Sequence, residues 1–125
     1  MVENLDRLFS DVEDLKEILD AVPDAGFHLD VGHANLNLGQ GGVNRTARLI
    51  EAFGDRLAHV HLSDNRGGTD DLHLPLGAGT IKWKEVIRLL KGASYDGTLT
   101  LEVFSREREH LRTSRRLLLE WWSAA

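Results

Sequence analysis

Thr98-Leu99-Thr100-Leu101-Glu102-Val103-Phe104 is rich in β-branched and aromatic residues and reads as a strand. Ser105 to about Trp122 follows as a helix, with Leu111, Leu118, Trp121 and Trp122 as its apolar side. Strand followed by helix is the unit that recurs when the chain is traced back toward its start. Leu57-Ala58-His59-Val60-His61-Leu62 reads as a strand. A third helix runs from about Trp83 to Lys91, burying Val86, Ile87 and Leu90, and Gly92 closes it. Gly26-Phe27-His28-Leu29-Asp30-Val31 suits a short buried strand. The helix after it covers about Asn44 to Phe53, with Ala47, Ile50 and Phe53 inward and Gly54 as its C-cap. Ser10 to Val22 is a helix with a Ser10–Glu13 capping box, stopped by Pro23. Met1-Val2-Glu3 reads as the end of one more strand. The order β-α-β-α-β-α-β-α predicts a parallel sheet with right-handed crossovers. Four such units fill about half of a (β/α)8 barrel, which typically takes roughly 250 residues. The expected fold is therefore α/β, one half-barrel domain over residues 1–125.

Composition narrows the chemistry. The 125 residues are 42% hydrophobic and 28% charged with few prolines, the balance of a globular chain. A net charge of −5 disfavours nucleic-acid binding by charge alone. No cysteine is present, so a metal must be held by His, Asp and Glu, and there is no thiol nucleophile. No apolar run reaches membrane length and the N-terminus is no signal peptide, so a soluble cytoplasmic protein is expected.

Ligand-type residues collect at strand ends. Glu3, Asp30, His61 and Glu102 each fall at or near the C-terminal end of a different strand, where a parallel barrel gathers its active site. Three carboxylates and an imidazole suit a divalent ion such as Mn²⁺, Mg²⁺, Zn²⁺ or Co²⁺. His33, just past its strand, and the Asp71-x-His73 pair could hold a second ion or touch substrate, with Asp64 nearby in sequence.

Each feature also has a plainer reading. A strand-end Asp commonly caps the next helix. His59 is read as pointing away from His61, leaving at least one of them to packing, and His28 and His110 as structural or surface residues. Ser63 to Thr80 is a long Gly-rich loop, of a length that is usually functional. Its Leu76-Gly77-Ala78-Gly79-Thr80 segment could offer backbone N–H groups to a phosphate, or be a tight turn needing positive φ. Arg66 in that loop could touch an anion. Gly39, Gly41 and Gly42 read as a lid or a turn, and Arg106, Arg108, Arg112, Arg115 and Arg116 as a solvated helix face.

Four motifs in order carry a family resemblance. Leu29-Asp30-Val31-Gly32-His33-Ala34-Asn35, His59-Val60-His61-Leu62-Ser63-Asp64, Asp71-Leu72-His73-Leu74-Pro75-Leu76-Gly77-Ala78-Gly79-Thr80-Ile81-Lys82-Trp83 and Tyr95-Asp96-Gly97-Thr98-Leu99-Thr100-Leu101-Glu102 resemble those of the xylose-isomerase-like TIM barrels. That superfamily includes sugar phosphate isomerases and epimerases and endonuclease IV. Val2-Glu3-Asn4 is similar to its strand carrying a glutamate. The resemblance covers essentially the whole chain and starts at what corresponds to the fifth barrel strand.

The resemblance implies that Glu3, Asp30, His61 and Glu102 hold one divalent metal. It also implies that Glu3 and Glu102 act as acid and base on a sugar or sugar phosphate. His33 would contact a substrate oxygen, or, with Asp71 and His73, bind zinc as in the endonuclease branch. The N-terminal half of the barrel has no counterpart in this chain. A second copy, a separate N-terminal half, or a truncated chain would account for that, the homodimer being favoured. A metal-binding fragment without catalysis is the non-enzymatic expectation.

Overall fold

The computed structural model describes residues 1–37 and 45–125. The lid or turn read at Gly39, Gly41 and Gly42, and the helix start at Asn44, lie outside the described residues. The elements are β1 (Val2–Glu3), α1 (Val12–Ala21), β2 (Phe27–Asp30), α2 (Val31–Ala34) and α3 (Arg45–Phe53). A 3₁₀ turn over Gly54–Arg56 leads into β3 (Leu57–Leu62), α4 (Trp83–Gly92), β4 (Thr98–Leu101) and α5 (Arg108–Ala124).

The four strands pair in parallel in the order β1-β2-β3-β4. A sheet whose spatial order equals its chain order is wound in one direction only. Right-handed crossovers then place every helix on the same face and leave the other face bare, as in a barrel. Leu29, Val60 and Leu99 are in register and turn toward the helices. There Leu15, Leu19, Phe27, Leu49, Leu62, Ile87 and Leu90 build the core, and the rings of Phe27 and Phe53 meet at 5.3 Å. The bare face is polar. Asp30 registers with His61 and Thr100, and His28 with Glu3, His59 and Thr98.

Local expectations hold with corrections. The capping box does not form: α1 starts after Asp11, and no side chain caps it. Its C-terminal end is instead held by Arg56, whose guanidinium donates to the carbonyls of Leu19 and Val22 at 3.0 and 2.9 Å. In α3 the buried residues are Thr46, Leu49, Ile50 and Phe53, with Ala47 only half-buried. Gly54 opens the 3₁₀ turn rather than capping, and Gly92 is the last residue of α4. β4 ends at Leu101, although Glu102 N–H still donates to Leu62 carbonyl at 2.9 Å. Leu111 is exposed rather than inward. Among the described residues no helix is long and apolar enough to cross a membrane.

Candidate metal centre

The four strand-end residues meet on the bare face. Asp30 is fully buried, and its two oxygens differ in their surroundings. Oδ1 accepts from His33 N–H at 2.8 Å, which is the helix-capping reading realised on α2. Oδ2 has no hydrogen-bond partner. It faces His61 Nδ1 at 3.8 Å, itself buried without a hydrogen bond although Glu102 Oε2 stands 3.2 Å away. Asp30, His61 and Glu102 each offer an atom within 4.8 Å of the others, as do Glu3, Asp30 and His33. Glu3 Oε1 stands 3.9 Å from His61 Nδ1, so it borders the first group rather than completing it. A buried carboxylate oxygen and a buried imidazole nitrogen, both unsatisfied and convergent, are what a divalent cation satisfies. The donor set fits the group the sequence called for.

A second group sits beside it. His33 Nε2 and His73 Nε2 both approach Asp71 Oδ2, at 3.1 and 2.9 Å. Their Nδ1 atoms lie 3.0 Å from the backbone carbonyls of Asn4 and Glu102. A carbonyl only accepts, so each Nδ1 carries a proton and each Nε2 is the atom turned inward. His73 holds this pose with φ at 45°, stacked on the ring of Phe104 at 4.1 Å.

Charges follow the geometry. Burial pushes the Asp30 carboxyl up to about 6, with His33 and its N–H opposing. Burial alone would lower His33, but Asp30, the Asn4 carbonyl and Asp71 outweigh it and hold the imidazole above its ordinary value. His28 is brought down to about 4 by burial and then by His61 and His59.

Three sequence readings are corrected. His59 does not point away from His61: residues two apart on a strand share a face, and their rings lie 5.2 Å apart. His28 is no peripheral residue, since its Nδ1 is 3.6 Å from Glu3 Oε2 on the same face. Asp64 is a scaffold. Its Oδ2 accepts from Gly77 N–H at 2.9 Å and Trp83 Nε1 at 2.8 Å, and its Oδ1 from Asn65 and Ile81 N–H at 2.9 and 3.2 Å. The turn at 76–80 is tight, with Gly77 at φ 85° and its N–H consumed internally, so it offers no phosphate cradle there. His110 is exposed against Ser105, and the arginines of α5 are exposed as expected. Arg66 is exposed as well.

Asn4 is a structural residue of the site that sequence reasoning misses. Buried, it receives Asp30 N–H on Oδ1 at 2.8 Å and donates from Nδ2 to the Asp30 carbonyl at 2.9 Å, pinning β1 to the end of β2. A side-chain amide pairing with one residue's backbone leaves no composition signal.

The chain belongs to the xylose isomerase-like TIM barrel family, which it matches over residues 1–123. Its relatives include an L-ribulose 3-epimerase of Methylomonas sp. (strain DH-1), 34% identical over 85 residues, covering 68% of this chain and 26% of that protein. A D-tagatose 3-epimerase-like protein superposes with a TM-score of 0.75 at 31% identity, covering 98% of this chain and 46% of the other. The 3-keto-D-glucoside 4-epimerase YcjR of E. coli shares the fold at a TM-score of 0.70 and 18% identity, over 94% of this chain and 44% of its own. The chain thus spans about half the length of those solved relatives, and its matches to curated ones about a quarter of theirs. Its four β/α units are the equivalent of the C-terminal half of a (β/α)8 barrel.

Proposed function

We propose that this chain carries the metal-binding half of a sugar or sugar phosphate isomerase or epimerase, working by proton abstraction beside a carbonyl. The observation that supports it most directly is the unsatisfied Asp30 Oδ2 facing His61 Nδ1 in a carboxylate-lined mouth. Asp30, His61 and Glu102, with Glu3 alongside, would hold one divalent ion. When bound, such an ion polarises the adjacent hydroxyl and carbonyl oxygens of a ketose and makes the neighbouring C–H more acidic.

Glu3 and Glu102 come from the two outermost strand positions, β1 and just beyond β4. They flank the space between them, so one removes the proton and the other returns it, by way of an enediolate. His33, whose Nδ1 faces the Asn4 carbonyl, would contact a substrate oxygen through Nε2 in exchange for Asp71. Among the described residues both edges of the sheet, β1 and β4, are unpaired, and a second copy closing on them would complete the mouth. The expected result is that Glu102→Gln abolishes epimerisation of a ketose panel with Mn²⁺ or Co²⁺ while the circular dichroism spectrum is unchanged. Full activity in that variant would refute the assignment.

The convergence of His33, His73 and Asp71 supports a second reading, a metal-dependent phosphodiesterase of the endonuclease IV kind. Tight binding of abasic duplex at moderate salt would favour it. A metal-binding protein that turns over neither substrate would be the non-catalytic fragment.

A further inference from the structure

His28, His59 and His61 form a third group that the proposed reaction does not use as a set. Each offers a ring nitrogen within 4.8 Å of the other two. The ring centroids lie 4.1 Å apart for His28–His61, 4.9 Å for His28–His59 and 5.2 Å for His59–His61, all near perpendicular. His28 and His59 sit opposite each other on the bare face, one register row behind the mouth, and His61 lies two residues further along β3 in the row of Asp30.

Three histidines packed edge to face could be an inert cluster. An independent observation points to a ligand instead. His28 is 8% exposed, yet its Nε2 has no hydrogen-bond partner. Its other nitrogen stands 3.6 Å from Glu3 Oε2, and His59 Nε2 is held by Thr100 Oγ1 at 3.0 Å. The Thr100 partner fixes the His59 ring and leaves its opposite nitrogen bare, as around metal-bound imidazoles. The nitrogens left over are His28 Nε2 and His59 Nδ1. His61 Nδ1 faces the carboxylates, which leaves its Nε2 for the histidine set.

We propose that His28, His59 and His61 form a second cation site of nitrogen donors only, selective for Zn²⁺ or a similar borderline ion, coupled to the mouth through His61. Imidazole donors favour zinc, cobalt or copper over magnesium, whereas the carboxylate mouth accepts harder ions. Three protein ligands leave a fourth position open to water. If both sites fill together, His61 bridges them and gives up its ring proton to solvent; if one fills at a time, Zn²⁺ draws His61 away from the mouth.

The inference rests on the mouth being a metal site only for this coupling, and the test separates the two. Long-range ¹H–¹⁵N spectra of the histidine rings are recorded on the full chain as Zn²⁺ is added, then repeated with Mg²⁺. The expected result is that Zn²⁺ shifts the ring nitrogens of His28, His59 and His61, and that Mg²⁺ leaves His28 and His59 where they were. His59→Gln, at a half-buried position, should abolish the His28 shift. It should also weaken Zn²⁺ at this set by more than the roughly 10- to 100-fold that loss of an outer partner costs. Shifts at His61, His33 or His73 with none at His28 and His59 would overturn the proposal and leave the mouth reading standing. Zn²⁺ shifts at His28 and His59 that persist in Glu102→Gln, with Mg²⁺ binding equally unaffected there, would support it and count against the mouth.

Discussion

Asp30 shows how one side chain serves fold and chemistry at once, and its titration makes this testable. Its carboxyl is moved from about 3.8 to about 6 by burial. For an acid raised in the folded state, the native protein holds the proton longer than the unfolded chain. Stability from this group is therefore unaffected below about pH 4 and falls as pH rises through 6, by roughly 3 kcal/mol when complete. Asp30→Asn keeps an oxygen for the His33 N–H and removes the charge. In chelator at pH 8 that variant should melt above the wild-type protein, and the gap should close near pH 4. A wild-type advantage at pH 8 would show that the buried carboxylate is compensated without metal. The same proton competes with the ion. Metal affinity in the wild-type protein should fall below about pH 6, about tenfold per pH unit for the one proton displaced, as titration calorimetry would read.

Among the connecting elements, the loop from Ser63 to Thr80 fixes Asp71 and His73, and it turns on Asp64. A buried carboxylate with four donors is a rigid anchor, and the chain can wrap it only where no side chain intervenes. A Cβ at Gly79 would collide with the Asn65 carbonyl and the Asp64 carboxylate, both backbone-locked. Gly79→Ala should therefore cost about 2–4 kcal/mol of unfolding free energy in urea, comparable to other overpacking changes. It should also loosen the second metal group, whereas Gly68→Ala, in open space, should do neither. Equal midpoints for the two variants would contradict the geometry.

The alternation of strands and helices, and the gathering of Glu3, Asp30, His61 and Glu102 at strand ends, were legible in sequence because periodicity and strand ends are local signals. What escaped was long-range: Asn4 gripping the Asp30 backbone, and Asp64 spending its oxygens on residues up to 19 positions away. The facing of His59 was legible from strand period alone and was misread. The Ser10 capping box does not form for a tertiary reason, since Ser10 is buried and the half-buried Asp11 accepts from Arg45 at 2.9 Å.

For the molecule as a whole, the open edges dominate. A groove of about 850 Å³ runs beside the free edge of β4 under α5, lined by Tyr95, Leu99, Leu101, Leu118 and Trp122 among others. None of the residues proposed as metal ligands lines it. In a ring closed by a second copy, β4 of one protomer lies parallel to β1 of its partner, which brings α5 next to the partner's α1. Those helices are of opposite charge: Glu13, Asp14, Glu17 and Asp20 are exposed on α1, and Arg108, Arg112, Arg115 and Arg116 on α5. Two such closures would make one eight-stranded ring with a single mouth, to which each protomer brings its own Glu3, Asp30, His61 and Glu102. Exposed ion pairs contribute roughly 0.2–1 kcal/mol each, so reversing Arg112 and Arg115 to Glu should weaken self-association about tenfold or more. Raised salt should weaken the wild-type dimer in the same direction. Sedimentation across a concentration series reads both. A protein that stays monomeric at every concentration and salt would rule out closure by a second copy, and completing the mouth would then fall to N-terminal barrel sequence other than residues 1–125.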